Sequence, residues 1–257
     1  MTLSEKLGII DRWLICRRRI IAGADHMRIV DNGKYELMEP IGDVKGPREI
    51  FNIRLENLSG ADLHSTIEEI RSYSVHAEWP NICSDRVCLA VHGKVPYYTF
   101  KGNEVGIMLR GNMLNYSESP ADVTIKRVVT KNEFAEWCDF HKDDPDDPHK
   151  WIFYADGHVH FVEEGKLVCF VAYVDGKPAA VSALINDDGA GALEYFKASL
   201  EHRRKEILLP LYLHTIKHAF ENGMRFVIGY RYMDWDVDTS NGYSLYNELG
   251  FPNLYES

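Results

Sequence analysis

The chain has 257 residues, a formal net charge of -10, and ordinary contents of hydrophobic (45%) and charged (26%) residues for a globular protein. This length suits one large domain or two domains of about 120 residues each. The acidic charge argues against nucleic-acid binding, which needs a basic field, but it is compatible with a cationic amine as partner.

The cysteines indicate the compartment. There are five of them, an odd number, and they are scattered along the chain. This is typical of reduced cytosolic thiols rather than of a disulfide framework. The first residues lack the charged-then-apolar pattern of a signal peptide. No run approaches the roughly 18 apolar residues of a membrane span. We therefore expect a cytoplasmic protein that does not bind a membrane.

The first half of the chain predicts a mixture of helices and strands. Apolar residues at helical spacing predict helices over 4–22 and 61–78, and the run Asp31-Asn32-Gly33-Lys34 predicts a turn or loop. Alternating or short apolar runs predict strands over 50–55, 87–92 and 105–110. These elements indicate an α+β domain over residues 1–122.

A polar stretch around residues 116–120 precedes the second half. Thr130 and Glu133 have the spacing of a capping box, which predicts the start of a helix over 133–140. An acidic, proline-broken loop is predicted over 143–148. Turn residues between apolar runs predict antiparallel strands. The remaining predicted elements are strands at 123–128, 167–174, 178–185, 192–198 and 225–230, and a helix at 207–221.

The last segment carries the most specific pattern. Leu245 and Leu249 share one helix face, Gly250 suits the left-handed position that ends a helix, and Phe251 begins a strand. Asn241, followed after a short gap by Leu-Tyr-x-x-Leu-Gly-Phe, resembles the C-terminal signature of the GCN5-related N-acetyltransferases. The element order β-α-β-β-β-α-β-α-β over 123–257 is similar to the fold of that family.

The resemblance implies an α/β (α+β) acyl-CoA N-acyltransferase fold, in which helices flank a mixed central sheet. It places the acetyltransferase domain at 123–257. The domain over 1–122 is either a degenerate second copy, as in tandem members of the family, or an unrelated α+β cap. The implied activity is acetyl transfer from acetyl-CoA to a primary amine.

The same resemblance implies catalytic roles for two residues. Tyr246 would protonate the departing thiolate, and Glu194 would deprotonate the amine directly or through a water molecule. Apolar neighbours of Glu194 would strip its hydration, which suits a base working near neutrality. Each has a structural alternative, because Glu194 could point to solvent and Tyr246 could be a core aromatic.

Further residues are implied to bind the cofactor. The backbone at Phe196, Lys197 and Ala198 would contact the pantetheine arm, and a bulge there would polarise the thioester carbonyl. The pyrophosphate would lie on the turn before the helix, held partly by a basic run. Asn241 would also touch the cofactor or cap the last helix. The turn is predicted over residues 199–208, and the residues in it assigned to cofactor binding are Arg203, Arg204, Lys205, Glu206, Ile207 and Leu208.

This turn departs from the family pattern Arg/Gln-x-x-Gly-x-Gly/Ala. Glu206 and Leu208 stand where small residues are expected, so we expect crowding of the phosphates and repulsion by Glu206. Two alternatives therefore stay open. One is a non-catalytic binding protein with an impaired CoA site, and the other is a transferase that uses another acyl or aminoacyl donor.

The sequence gives little on metals and partners. His158 and His160 could share one face of a strand, but we expect no metal site. The aromatic and acidic segment 230–238 could bind a cationic amine, or it could be ordinary loop packing. The expected acceptor is a small-molecule or peptide amine, and a homodimer is compatible with the sequence.

Overall fold

The computed structural model describes most of the second half of the chain and parts of the first. The described residues are 3–23, 27–42, 49–51, 65, 69, 103–109, 122–142, 153, 155–187, 189–202 and 205–232. The chain divides into two compact units, Met1–Lys101 and Gly102–Ser257. The predicted division between residues 122 and 123 falls within the second unit.

The first unit contains a helix and a small antiparallel sheet. Its elements are helix α1 (Leu3–Ile21) and strands β1 (Met27–Asp31), β2 (Glu36–Pro40) and β3 (Glu49–Phe51), in the sheet order β1-β2-β3. The predicted loop between β1 and β2 is confirmed. Gly33 has φ +83°, and its N–H donates to Asp31 Oδ1 at 2.8 Å. Asn32 Oδ1 accepts from the N–H of Tyr35 at 2.9 Å. These bonds satisfy the turn backbone locally. Predicted elements over 52–64 and 71–100 lie outside the described residues.

The second unit contains a larger sheet with helices. Its elements in chain order are β4 (Asn103–Leu109), β5 (Val123–Arg127), α2 (Lys131–Lys142), α3 (Ala155–Glu163), β6 (Leu167–Val174), β7 (Lys177–Asp187), β8 (Ala190–Ala198), α4 (Lys205–Glu221) and β9 (Phe226–Tyr232). A short 3-10 turn, Leu200–His202, separates β8 from α4.

The sheet order is β4-β9-β8-β7-β6-β5. β8 and β9 pair in parallel, and the other neighbouring pairs are antiparallel. The predicted mixed sheet flanked by helices is therefore confirmed. Two features were not predicted. Helix α3 precedes β6, and β4 pairs with β9 in this same sheet.

The capping box at the start of α2 forms as predicted. The N–H of Glu133 donates to Thr130 Oγ1 at 3.3 Å, and the N–H of Thr130 donates to Glu133 Oε2 at 2.9 Å. The N–H of Val129 also donates to Glu133 Oε2, at 2.9 Å. These backbone hydrogen bonds lower the pKa of the Glu133 carboxyl. The box fixes where α2 begins.

The central strands are buried on both faces. Phe170 and Leu184 face α4 and share a core cluster with its Leu211 and Ile216. The neighbouring positions on β6 face the other way, towards α2. Burial raises the pKa of the Cys169 thiol, and Cys138 on α2 is close enough to add to this effect. The central strands thus lie between helices, which positions β8 in the middle of the domain. No helix among the described residues is both long and apolar enough to cross a membrane.

Gly191 on β8 provides a test of this packing. A Cβ at Gly191 would overlap Met224 Sδ and would lie 3.0 Å from Leu184 Cδ1. We expect Gly191→Ala to lower the free energy of unfolding by about 1 to 3 kcal/mol, because the core is already filled. Gly8 in α1 has nothing within 4 Å of such a Cβ. There, Gly8→Ala should raise stability by about 0.5 to 1 kcal/mol. Urea unfolding would measure both changes, and the same sign for both would contradict the packing described.

Two histidines on α4 make stability depend on pH. His214 and His218 both contact the Phe170 ring, with centroid distances of 5.0 and 5.1 Å. Burial lowers the pKa of both histidines, assisted by Lys217 for His214 and by Arg127 for His218. The unfolded chain therefore binds protons more readily than the folded state. The free energy of unfolding should have its full value above the histidine pKa of the unfolded chain, about 6.5. It should fall as pH drops below this value towards the lowered pKa values of the folded state.

The double variant His214→Gln/His218→Gln tests this dependence. We expect it to lose less stability than the unsubstituted protein between pH 7.5 and 5.5, measured by urea unfolding at each pH. An equal or larger loss in the double variant would contradict the assignment.

Candidate active site

The parallel strands β8 and β9 diverge shortly after they begin. Among the described residues, their pairing runs from Ala190–Phe226 to Ala192–Ile228. β8 continues to Ala198 and β9 continues to Tyr232. Because the strands are parallel, both carboxyl ends point the same way and the opening between them widens towards those ends. We call this opening the wedge, bounded by residues 193–198 of β8 and 229–232 of β9. A crevice at the carboxyl ends of parallel strands is a common ligand site in α/β folds.

A β-bulge lies on β8 beside the wedge. Val181 of β7 pairs with Lys197, and Ala183 pairs with Glu194, so Ser182 opposes both Tyr195 and Phe196. Tyr195 has φ +55°, in the left-handed region that tyrosine rarely adopts. The bulge that the family resemblance implied on this strand is therefore present. Such bulges turn backbone groups out of the ladder and often accompany active sites.

Glu194 is buried just before the bulge, with 7% of its surface exposed. Glu194 pairs with Ala183, so the two side chains lie on the same face of the sheet. Leu184 and α4 lie on the other face. The alternative in which Glu194 points to bulk solvent is therefore wrong. A buried carboxylate beside a split in the sheet is a suitable acceptor for a proton from a bound amine.

Beyond the bulge, the side chains of the predicted cofactor residues are engaged with the protein. The Phe196 ring stacks on Tyr212 at 3.6 Å, and Ala198 belongs to the core cluster against α4. Lys197 Nζ donates to the carbonyl oxygens of Phe140 at 3.0 Å and His141 at 3.3 Å, at the end of α2. The backbone of these residues, rather than their side chains, borders the wedge. The implied contacts of this backbone with the pantetheine arm stay a prediction.

The turn after β8 is held by a serine and a histidine. Ser199 Oγ lies 2.9 Å from His202 Nδ1, and the N–H of His202 donates to the Ser199 carbonyl at 2.9 Å. The N–H of Ser199 donates to the Ala179 carbonyl at 2.9 Å, which ties the turn to β7. The sequence analysis placed Ser199 and His202 in the predicted turn but assigned neither of them a role. Their i, i+3 spacing before a helix start was the available signal.

The remaining turn residues are only partly described. Ile207 is buried in the core cluster, and Leu208 packs against the same cluster. Leu208 thus points towards the core, which corrects the expectation that its side chain would crowd the phosphates. Lys205 and Glu206 lie in the first turn of α4, and nothing is described of their side chains. Arg203, Arg204, Asn241 and Tyr246 lie outside the described residues, so their predicted roles stay predictions.

An aromatic cluster surrounds the bulge residue on the face of α2 and α3. The Tyr195 ring contacts Phe153 at 4.7 Å, Trp137 at 6.3 Å and His141 at 6.5 Å, in edge-to-face arrangements. His158 also contacts Phe153, at 5.2 Å. The sequence analysis did not connect these residues, because they come from two helices, the segment between them and a distant strand. We call Trp137, His141, Phe153, His158 and Tyr195 the aromatic cluster.

The structure corrects the prediction that His158 and His160 could share one face of a strand. Both lie in helix α3, not in a strand, so residues two apart do not share a face. Among the described parts of the chain, no three His, Cys, Asp or Glu side chains are grouped to hold a metal ion.

The described core thiols are unsuited to nucleophilic catalysis. Burial raises the pKa of Cys138 to about 12 and that of Cys169 well above its usual value. A thiol with such a pKa stays protonated near neutrality, and the thiolate is the nucleophilic form. Neither of these cysteines is therefore suited to form a covalent intermediate.

Comparison with solved structures supports the fold. A GCN5-related N-acetyltransferase from Kribbella flavida is 16% identical, with a TM-score of 0.53 over 94% of this chain and 91% of that chain. A conserved protein of unknown function from Staphylococcus epidermidis is 14% identical, with a TM-score of 0.47 over 88% and 90% of the two chains. At these identities the likeness concerns fold alone, and only the first reaches a TM-score of 0.5. No match was found among curated proteins.

The fold and the split sheet define an acetyltransferase-type α/β domain. A family model described as an acetyltransferase (GNAT) domain matches residues 118–234. This match confirms, for residues 118–234, the family resemblance seen in the sequence.

Proposed function

We propose that the protein is a cytoplasmic N-acetyltransferase that moves the acetyl group of acetyl-CoA to a primary amine. The observation that carries this proposal is the wedge between β8 and β9 with a bulge on its β8 side. An extended pantetheine arm can lie in the wedge as an added strand and hydrogen-bond to the β8 backbone. The match of residues 118–234 to the acetyltransferase family model supports the same reaction class.

The bulge is proposed to polarise the thioester carbonyl group. Backbone N–H groups that leave the ladder at Tyr195 and Phe196 can donate to the thioester carbonyl oxygen. That oxygen gains negative charge as the amine attacks, so fixed donors stabilise the transition state more than the ground state. Because these donors are backbone groups in a buried strand, little reorganisation is needed during the reaction.

Glu194 and Tyr246 are proposed to move the protons. Glu194 accepts a proton from the ammonium, directly or through a water molecule, and the neutral nitrogen attacks the acetyl carbon. The new C–N bond forms, the C–S bond breaks, and the departing thiolate takes a proton from Tyr246. The nitrogen then loses its second proton, which restores the Tyr246 hydroxyl through solvent. The products are the N-acetylated amine and CoA.

The turn before α4 is the proposed pyrophosphate site. The α4 N-terminus favours an anion. The residues proposed to hold the pyrophosphate are Arg203 and Arg204, which precede α4 in the sequence, and Lys205, Glu206, Ile207 and Leu208 at its start. Asn241 is proposed to contact the cofactor from the last helix. The acceptor is a small-molecule or peptide amine, consistent with the acidic net charge. Nucleic acid is not a proposed partner, and a homodimer is a proposed assembly.

A thiol-release assay tests the proposed reaction. The protein is mixed with acetyl-CoA and a panel of primary amines, including polyamines, amino sugars and lysine peptides. We expect CoA release that requires both protein and amine, with an acetylated amine detected by mass spectrometry. Binding of CoA without release would favour the non-catalytic alternative. Release only from other acyl thioesters, or transfer only from an aminoacyl donor, would favour the alternative donor.

A further inference from the structure

The bulge residue Tyr195 holds an unfavourable backbone conformation. A non-glycine residue at φ +55° costs of order 1 to 3 kcal/mol and persists only where the surroundings over-determine it. The Tyr195 side chain is 4% exposed and lies against the rings of Phe153 and Trp137. The side chain is thus fixed by packing on the α2 and α3 face of the sheet.

Trp137 also reaches the strand opposite the bulge. Its indole N–H donates to the carbonyl oxygen of Ser182 at 3.0 Å. Ser182 is the β7 residue that opposes both bulge residues. Trp137 is fully buried and comes from α2, whose start is fixed by the capping box at Thr130. One side chain therefore contacts the Tyr195 ring and also binds the backbone facing the bulge.

Ser182 is also held from the other face of the sheet. Ser182 Oγ lies 3.1 Å from Thr215 Oγ1 on α4, and Thr215 Oγ1 donates to the Leu211 carbonyl at 2.8 Å. Both Ser182 and Thr215 are fully buried. Ser182 is therefore held by α2 through its carbonyl and by α4 through its hydroxyl.

We infer that Trp137 and Tyr195 are positioning residues that set the direction of the bulge N–H groups towards the thioester carbonyl. The inference rests on the proposed function, since it assigns how this wedge is prepared for an acyl thioester. Neither side chain is proposed to touch the substrate. Trp137 acts through the Ser182 carbonyl, and Tyr195 acts through its own backbone conformation.

Infrared difference spectroscopy of bound acetyl-CoA labelled with 13C at the thioester carbonyl tests the inference. In the unsubstituted protein, the carbonyl band should shift to lower frequency than in free acetyl-CoA. Trp137→Phe keeps an aromatic ring but removes the N–H, so the band should move back towards the free frequency. We expect kcat to fall about tenfold or more with the Kd for CoA within about threefold, because a misdirected donor weakens transition-state stabilisation.

Three further variants separate positioning from general core damage. Tyr195→Phe keeps the ring and should keep the band shift. Tyr195→Gly removes the ring and makes φ +55° unstrained, so the band should broaden and the shift should shrink even if the fold is retained. Phe134→Leu removes a ring stacked on Trp137 at 5.7 Å but leaves the Ser182 bond, and it should keep the shift.

The outcomes distinguish this inference from the proposed function. An unchanged band and kcat in Trp137→Phe and Tyr195→Gly would overturn the positioning roles while leaving acetyl transfer intact. A bound acetyl-CoA without any carbonyl shift in the unsubstituted protein would do the same. Absence of acetyl-CoA binding by the unsubstituted protein would overturn the proposed function and this inference together.

Discussion

Glu194→Gln should lower kcat for amine acetylation about 100-fold or more, in the range general-base catalysis contributes. The amide keeps the size of the carboxylate but cannot accept a proton from the ammonium. The Kd for acetyl-CoA should stay within about twofold, because the proposed cofactor contacts use the backbone beyond the bulge. Stopped assays with saturating amine and acetyl-CoA would measure kcat, and titration would measure Kd.

The pH profile sharpens the Glu194 test. Without Glu194, the amine must lose its proton to solvent, and this happens more readily as pH rises. The difference in kcat between Glu194→Gln and the unsubstituted protein should therefore become smaller at high pH. Glu163→Gln is the matched control, since Glu163 is an exposed acid at the end of α3 and outside the proposed site. It should leave kcat nearly unchanged. Equal losses in the two variants, or a full rate in Glu194→Gln, would exclude Glu194 as the base.

Phe170→Ala should lower the free energy of unfolding by about 3 to 5 kcal/mol, as expected for removing a fully buried aromatic side chain. Phe170 is 0% exposed in the core between β6 and α4, where its ring contacts His214 and His218. The substitution leaves a cavity that the rigid sheet cannot fill. Urea unfolding at neutral pH would measure the change.

Val129→Ala is the control for the Phe170 variant. Val129 is 61% exposed, so its truncation should change stability by no more than about 0.5 kcal/mol. A loss below about 1 kcal/mol in Phe170→Ala would contradict the described core, because large-to-small substitutions there usually cost several kcal/mol.

Local chemistry made much of the fold predictable. Thr130 and Glu133 fixed the start of α2, because a capping box needs only residues three apart. Asp175-Gly176 marked the hairpin between β6 and β7, and both residues have positive φ, as a tight hairpin turn requires. The apolar runs on either side gave strands close to the predicted bounds. The family signature then predicted that these strands form one mixed sheet.

Features that depend on contacts between residues far apart in sequence were harder to predict. Helix α3 (Ala155–Glu163) contains Gly157 and two histidines, which weaken the helical pattern, so it was missed. Arg17 and Arg18 are both buried in the first unit. The long apolar stem of an arginine side chain can pack against a core, and sequence alone does not show when it does so.

The candidate site shows the same division. Glu194 was chosen through the resemblance, and the structure places it buried beside the bulge. The bulge itself carries no residue signal, because Tyr195 adopts φ +55° where glycine or asparagine would be usual. Trp137, which contacts Tyr195 and the backbone opposite the bulge, is far from both in sequence. No local sequence pattern predicts such contacts.

Isothermal titration with acetyl-CoA tests the central claim most directly. If the wedge between β8 and β9 is an acyl-CoA site, the unsubstituted protein should bind acetyl-CoA saturably, with a Kd between about 1 μM and 1 mM, as is usual for enzyme substrates. No detectable binding at millimolar acetyl-CoA would contradict the claim.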